Sequence, residues 1–168
     1  VSDSTVATSG EHADPLAAMK MSVLLFVPFV VFVLHTLEEL PQFAAWVSKH
    51  FSPLTTDKFA VTHIPLILVV LLCSWQAARP HARVGWVIMV VAFQWQFAVN
   101  AVFHLGAAAW FGDYSPGMVT AATVSLPATV FFFAWLRRER ILTANQVATA
   151  VAVGTAIAAA AIGVLFTG

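Results

Sequence analysis

The stretch Val33-Leu34-His35-Thr36-Leu37-Glu38-Glu39-Leu40 sets one imidazole and two adjacent carboxylates at the end of an apolar run long enough to cross a membrane. A charge inside a bilayer costs a few kcal/mol or more, so ionisable residues there ordinarily mark function. Two carboxylates side by side at one helix end repel each other unless they share a cation or protons. Farther along, His63 lies near the start of a second apolar run, and Gln96, Asn100 and His104 recur at i, i+4, i+8 in a third. That repeat makes one polar stripe on a helix. His35 and Glu39 are also i, i+4, with Glu38 at i+3, so all three can look into a bundle from the same side.

Imidazoles and carboxylates converging from different helices are how bundle interiors hold metals. The candidate ligands are His35, Glu38, Glu39, His63 and His104. Neutral imidazole with carboxylate suits a divalent ion, zinc ahead of non-haem iron. Zinc takes four ligands, here three histidines and a carboxylate or water. The second carboxylate, Glu38 or Glu39, is then free to act as general base on a water that the metal acidifies. The candidates outnumber what one zinc needs, which leaves a two-metal site open. Asn100 would hold a ligand or orient a substrate carbonyl, with Gln96 supporting the ligands from behind. An isolated intramembrane histidine is ordinarily a hydrogen-bonded packing residue; three at one depth beside two glutamates favour a metal.

The elements that must position these groups are helices. Hydrophobic residues make up 60% of the 168-residue chain and charged residues 10%, with a mean hydropathy of +0.86, the composition of a membrane protein. Eight basic residues balance eight acidic ones, so nothing points to a nucleic-acid partner. The single cysteine, Cys73, excludes an intramolecular disulfide and any four-cysteine metal site. The expected architecture is all-α: a polytopic transmembrane bundle of about five helices with one short interfacial amphipathic helix. Residues 1–18 read as a mobile polar tail and 19–168 as a single transmembrane domain. Position 1 is Val, and Met19 or Met21 would make a plausible alternative start.

Spans are expected at about 20–39, kinked at Pro28, then 58–77, 83–108, 117–136 and 145–167. The last is nearly all small or β-branched residues, which suits close helix packing in lipid. Gln94 in the third span is expected to bridge helices. Between the first and second spans, Phe43, Trp46, Val47, His50 and Phe51 repeat at helical spacing, so 42–54 is expected to lie in the interface plane between Pro41 and Pro53. This helix could fold His50 down toward the site. A short loop with Gly112, Asp113, Tyr114 and Pro116 joins the third and fourth spans.

Lys20, Arg79, Arg83, Arg137, Arg138 and Arg140 fall on one side of the five spans, and Lys49 and Lys58 on the other. The positive-inside rule then puts the N-terminus in the cytoplasm and the C-terminus outside. Climbing from the inner face, His35 comes at roughly 22 Å, Glu39 at ~28 Å, Asn100 at ~26 Å and His104 at ~31 Å. His63, descending from outside, lies about 22 Å above the inner face of a ~30 Å core. These residues share one layer in the outer third of the bilayer.

The pattern His35-Thr36-Leu37-Glu38-Glu39 in a first transmembrane helix, with His63 in the second and Asn100-x-x-x-His104 in the third, resembles the HXXEE family of small bacterial integral membrane proteins. The likeness covers residues 20 to 140. It implies a multi-helix protein of the bacterial cytoplasmic membrane and brings no settled activity with it. The residues themselves point to a metal-dependent membrane enzyme, hydrolase in type, whose hydrophobic or lipid-like substrate enters sideways from the outer leaflet. The amphipathic helix around Trp46 would be its lid. The rival readings are an iron-dependent oxidase, a proton or divalent-cation transporter, a haem protein with two histidines as axial ligands, and a regulatory subunit. Against transport, Val84 to Phe93 offer almost no polar lining.

Overall fold

The computed structural model describes residues 22–167. The polar tail expected over 1–18 lies outside them, as do Lys20 and both candidate start methionines. The described residues form six helices and no strand. These are α1 (Val27–Glu39), α2 (Phe43–His50), α3 (Thr56–Ala77), α4 (Val84–Phe111), α5 (Met118–Arg138) and α6 (Ala144–Val164). All but α2 are long and apolar enough to cross a membrane, α1 by counting its span from Ser22. This is consistent with an integral membrane protein.

The kink expected at Pro28 is a break just before it. Residues 25–26 form a turn, and Pro28 sits in the first turn of α1. There its missing N–H has no intrahelical partner to lose. From that point Pro28, Val31, Phe32, His35, Thr36 and Glu39 bury one continuous stripe. Helix α2 is shorter than expected for a specific reason. The Ser48 hydroxyl donates to Leu54 O (3.0 Å) and accepts from Leu54 N (2.9 Å), turning the chain out of the helix. Its apolar face, Phe43, Trp46 and Val47, rests on Phe59 of α3 and Ala107 of α4.

Helix α4 is the central strut, packed against α1, α3, α5 and α6. At 28 residues it is about 42 Å long, more than a ~30 Å core needs. Val90, Val91, Ala92, Phe93 and Phe97 from α4 meet Phe132 and Leu136 from α5 in the main core. Gln94, fully buried, donates to the Thr129 hydroxyl at 2.8 Å and so bridges α4 to α5. Against α6 the contact is closer still. Ala150, Gly154 and Ala158 recur every four residues on its buried face, and small residues at that spacing let backbones approach. Trp95, mid-span and away from the aromatic belts, donates to Thr155 Oγ1 across this seam (2.9 Å).

A Cβ built at Gly154 collides with the Ala92 carbonyl, whereas one at Gly163 meets open space. Gly154→Leu is therefore expected to destabilise the protein by about 1–3 kcal/mol through overpacking. Gly163→Leu should stay within ~0.5 kcal/mol of the parent. Unfolding in detergent, followed by tryptophan fluorescence, compares the two; equal effects would contradict the tight α4–α6 seam.

Candidate metal centre

Near the ends of α1 and α4, three buried side chains converge. His35, Glu39 and His104 each offer a donor atom, all within 4.8 Å of one another. Their exposures are 3%, 4% and 0%. His35 Nε2 lies 3.5 Å and His104 Nε2 3.2 Å from the same oxygen, Glu39 Oε1. The imidazole rings meet edge to face, with centroids 4.9 Å apart. Although close to the carboxylate, His104 Nε2 is off the direction a hydrogen bond needs and has no aligned partner. Two ring nitrogens and one oxygen thus surround a point rather than pair off.

The outer nitrogens are anchored. The Thr120 hydroxyl donates to Gly117 O (3.2 Å), so toward His35 Nδ1, 2.9 Å away, it can only accept. A proton on His35 Nδ1 suits both of its neighbours. Nε2 is then left with a lone pair for the Asn100 amide N–H at 2.9 Å. His104 Nδ1 lies 3.0 Å from the buried Ser115 hydroxyl. Imidazoles that bind metals are ordinarily held this way by their second nitrogen. Gly117 closes the cover. Its φ is +101°, and a Cβ there would come within 2.7 Å of His35 Cε1 and 2.9 Å of His104 Cε1.

The neighbouring carboxylate points elsewhere. Adjacent residues on a helix diverge by about 100°, and Glu38 leaves the triad to meet the start of α5. Its oxygens accept from Val119 N (3.1 Å), Thr120 N (2.7 Å) and the Tyr114 hydroxyl. Helix α5 has no side-chain cap of its own, so Glu38 caps it from another helix, where the dipole favours a negative charge. Glu38 was expected as ligand or base; the structure gives it the role of a strut between α1 and α5. Just beyond, residues Ala121–Ser125 wind as a π-helix, a local widening common beside functional sites.

His63 stands apart from the triad. Its Nδ1–H donates to Phe59 O (2.9 Å), and its ring stacks on Phe59 at 3.9 Å. It nonetheless shares with His35, Glu39, Gln96 and Asn100 the wall of one cavity of about 100 Å³. His50, which the sequence could fold toward the site, reaches Asp113 instead. Asp113 accepts from Lys49 Nζ (2.6 Å) and Trp46 Nε1 (3.0 Å) and lies 2.9 Å from His50 Nε2. Lys49 foremost, then Trp46 and His50, hold this carboxyl far below the usual carboxylate range. Asp113 thereby ties α2 to the loop that carries Ser115 and Gly117.

These loop residues were not singled out as site residues in the sequence. Tyr114 and Thr120 bond Glu38, Thr120 and Gly117 meet His35, and Ser115 bonds His104. Tyr114 and Ser115 come from a segment read as a plain connector, and Gly117 and Thr120 from the start of the expected fourth span. The available signal was a polar Asp113-Tyr114-Ser115 run in a chain otherwise short of polar residues.

The chain matches, over residues 25–132, the family described as "Protein of unknown function with HXXEE motif". It belongs to the HXXEE family. No curated protein and no solved structure matches it. The HXXEE motif itself runs from His35 to Glu39, and its two glutamates divide between the triad and the cap of α5.

Tyr114 is the only tyrosine, so its titration can be followed alone by ultraviolet absorbance. Partial burial, and then the Glu38 carboxylate it bonds, push its phenol up to about 12. The bond's contribution to stability should be intact below pH ~10, the value of a free phenol, and decline as pH rises toward 12. Glu38→Gln is expected to bring the titration down toward ~10. An unchanged midpoint in that variant would contradict the pairing.

Proposed function

We propose that this protein is a membrane-embedded metal-dependent enzyme, hydrolase in type, acting on a hydrophobic or lipid-like substrate. His35, Glu39 and His104 hold its divalent metal, zinc ahead of iron. One observation carries the reading: three buried donor atoms surround a common point while both histidines are anchored from behind. Three protein ligands with one position left for water or substrate is the arrangement of catalytic zinc. Non-haem iron uses the same two-histidine, one-carboxylate set, and elemental analysis separates the two metals.

Two features of the earlier assignment change in this reading. Glu39 serves as a ligand and Glu38 as a positioning residue, so neither is a free general base. His63 leaves the ligand set and joins the substrate cavity. A cation at His35 Nε2 displaces the Asn100 N–H now bonded there. The same amide, turned about, offers its oxygen to a water in the open position. Arg79, Arg83, Arg137 and Arg138 lie at helix ends opposite the triad. Under the positive-inside rule this supports a site in the outer part of a bacterial cytoplasmic membrane, with the N-terminus inside.

The purified protein should carry one metal ion per chain by mass spectrometry of its elements. His35→Ala, Glu39→Gln and His104→Ala should lose it. Ser115→Ala, which frees the back of His104, should weaken binding about 10–100-fold. Gly117→Ala, by crowding both imidazoles, should also lose the ion. Folded wild-type protein that contains no metal and takes none up from added zinc would refute the proposal.

A further inference from the structure

The cavity beside the triad has two unlike ends. His35, Glu39, His63, Gln96 and Asn100 line one, and Val70, Phe93 and Ile157 the other. From His63 to Val70 on α3, and from Asn100 to Phe93 on α4, the wall runs seven residues away from the triad, about 10 Å. That direction leads toward the middle of the bundle. The polar end therefore lies nearer the membrane surface and the apolar end nearer the bilayer centre, the orientation of a lipid in that leaflet.

The cavity also has a side opening. Helices α3 and α6 both pack on α4 and scarcely on each other. Leu66 of α3 and Ala161 of α6, which line the cavity, are exposed at the resulting gap. No loop needs to move for a chain to reach it from lipid.

The polar wall is uncharged apart from Glu39, and no Lys or Arg lines it. Away from the ion proposed at His35 and Glu39, the wall holds no cation to balance a phosphate. Gln96 is 9% exposed, lines this wall and makes no side-chain hydrogen bond among the described residues. Its amide is thus left free to bond whatever occupies the cavity. His63, with its proton committed to Phe59 O, presents Nε2 as an acceptor. The cavity thus offers an amide donor from α4 and an imidazole acceptor from α3. Its volume of about 100 Å³ matches roughly three water-sized groups. It admits a head group and the first carbons, while the rest of a chain lies along the gap.

We infer that this cleft binds the head of an uncharged single-chain acyl lipid, a fatty amide or a monoacyl ester with a free hydroxyl. Gln96 donates to its carbonyl and His63 accepts from its N–H or O–H. The inference rests on the metal reading for its consequence, a substrate carbonyl set beside the ion, but the binding itself does not require the metal.

The test uses the whole protein in detergent with a palmitoyl amide that carries a photoreactive diazirine near its carbonyl. Cross-links should map to α3, α4 and α6 around Leu66, Gln96 and Ile157. Unlabelled palmitamide should compete, and lysophosphatidylcholine or hexadecane should not. Gln96→Leu, losing one buried hydrogen bond, should reduce labelling about tenfold, and Ala161→Trp should block the gap, both with metal content unchanged. Labelling spread along all lipid-facing helices, or unaffected in both variants, would overturn the inference. Equal competition by lysophosphatidylcholine would overturn the uncharged head. Cleft labelling in a protein that binds no metal would support this inference and defeat only the metal reading.

Discussion

A carboxylate buried in an apolar bundle must have its charge balanced within contact distance, and Glu39 constrains everything around it for that reason. Transfer of an unpaired ion into such surroundings costs far more than a fold can spare. No lysine or arginine comes near Glu39 among the described residues; two imidazoles do. Those imidazoles are themselves fixed by hydroxyls of the loop and of the first turn of α5, and the two are joined at position 117, where only glycine fits against the rings. The cluster is therefore a chain of dependencies: acid, rings, hydroxyls, backbone. A cation at its centre would satisfy all of the inward-facing donors together, which protons can do only in part.

The paired glutamates show how two identical neighbours come to do different work. Helical geometry turns them about 100° apart. Glu39 faces α4 and meets His104; Glu38 faces the start of α5 and takes up its free N–H groups. One dipeptide thus couples α1 to two other helices. The Glu38 contact also fixes where α5 begins, hence where Thr120 stands behind His35. Positioning and ligation are linked through the backbone of a single helix.

Around this crossing the rest of the bundle is support. Helix α4 supplies Gln96, Asn100 and His104 on one stripe and, on other faces, the seams with α5 and α6. Helix α6 contributes little chemistry but lies close because its buried residues are small. Helix α2 covers the triad's end of the bundle, pinned by Asp113 and by an aromatic cluster of Phe43, Trp46 and Phe51. Helix α3 stands partly free, with Val61, Ile64 and Leu68 exposed, and so does α6 beyond its seam with α4; the gap between them is the side opening onto the cavity.

Much of this was legible in the order of residues. Apolar runs of membrane length, broken by prolines and glycines, determine five spans and their ends to within a few residues, because hydrogen bonding in lipid leaves the backbone little choice but a helix. Helical periodicity likewise puts His35 with Glu39, and Gln96 with Asn100 and His104, on single faces. Depth could be counted, so the shared layer was foreseeable. Which way each group turns within that layer was decided by tertiary structure alone. Glu38 and His63 had the right depth and a plausible face, yet Glu38 turned to an uncapped helix end and His63 to the carbonyl one turn back. Ser115, Gly117 and Thr120 joined the centre through the turn into α5, whose geometry no spacing reports. Periodicity is a local property of one helix; the meeting of lone pairs from two helices depends on rotation, tilt and loop closure, which arise only when the helices pack.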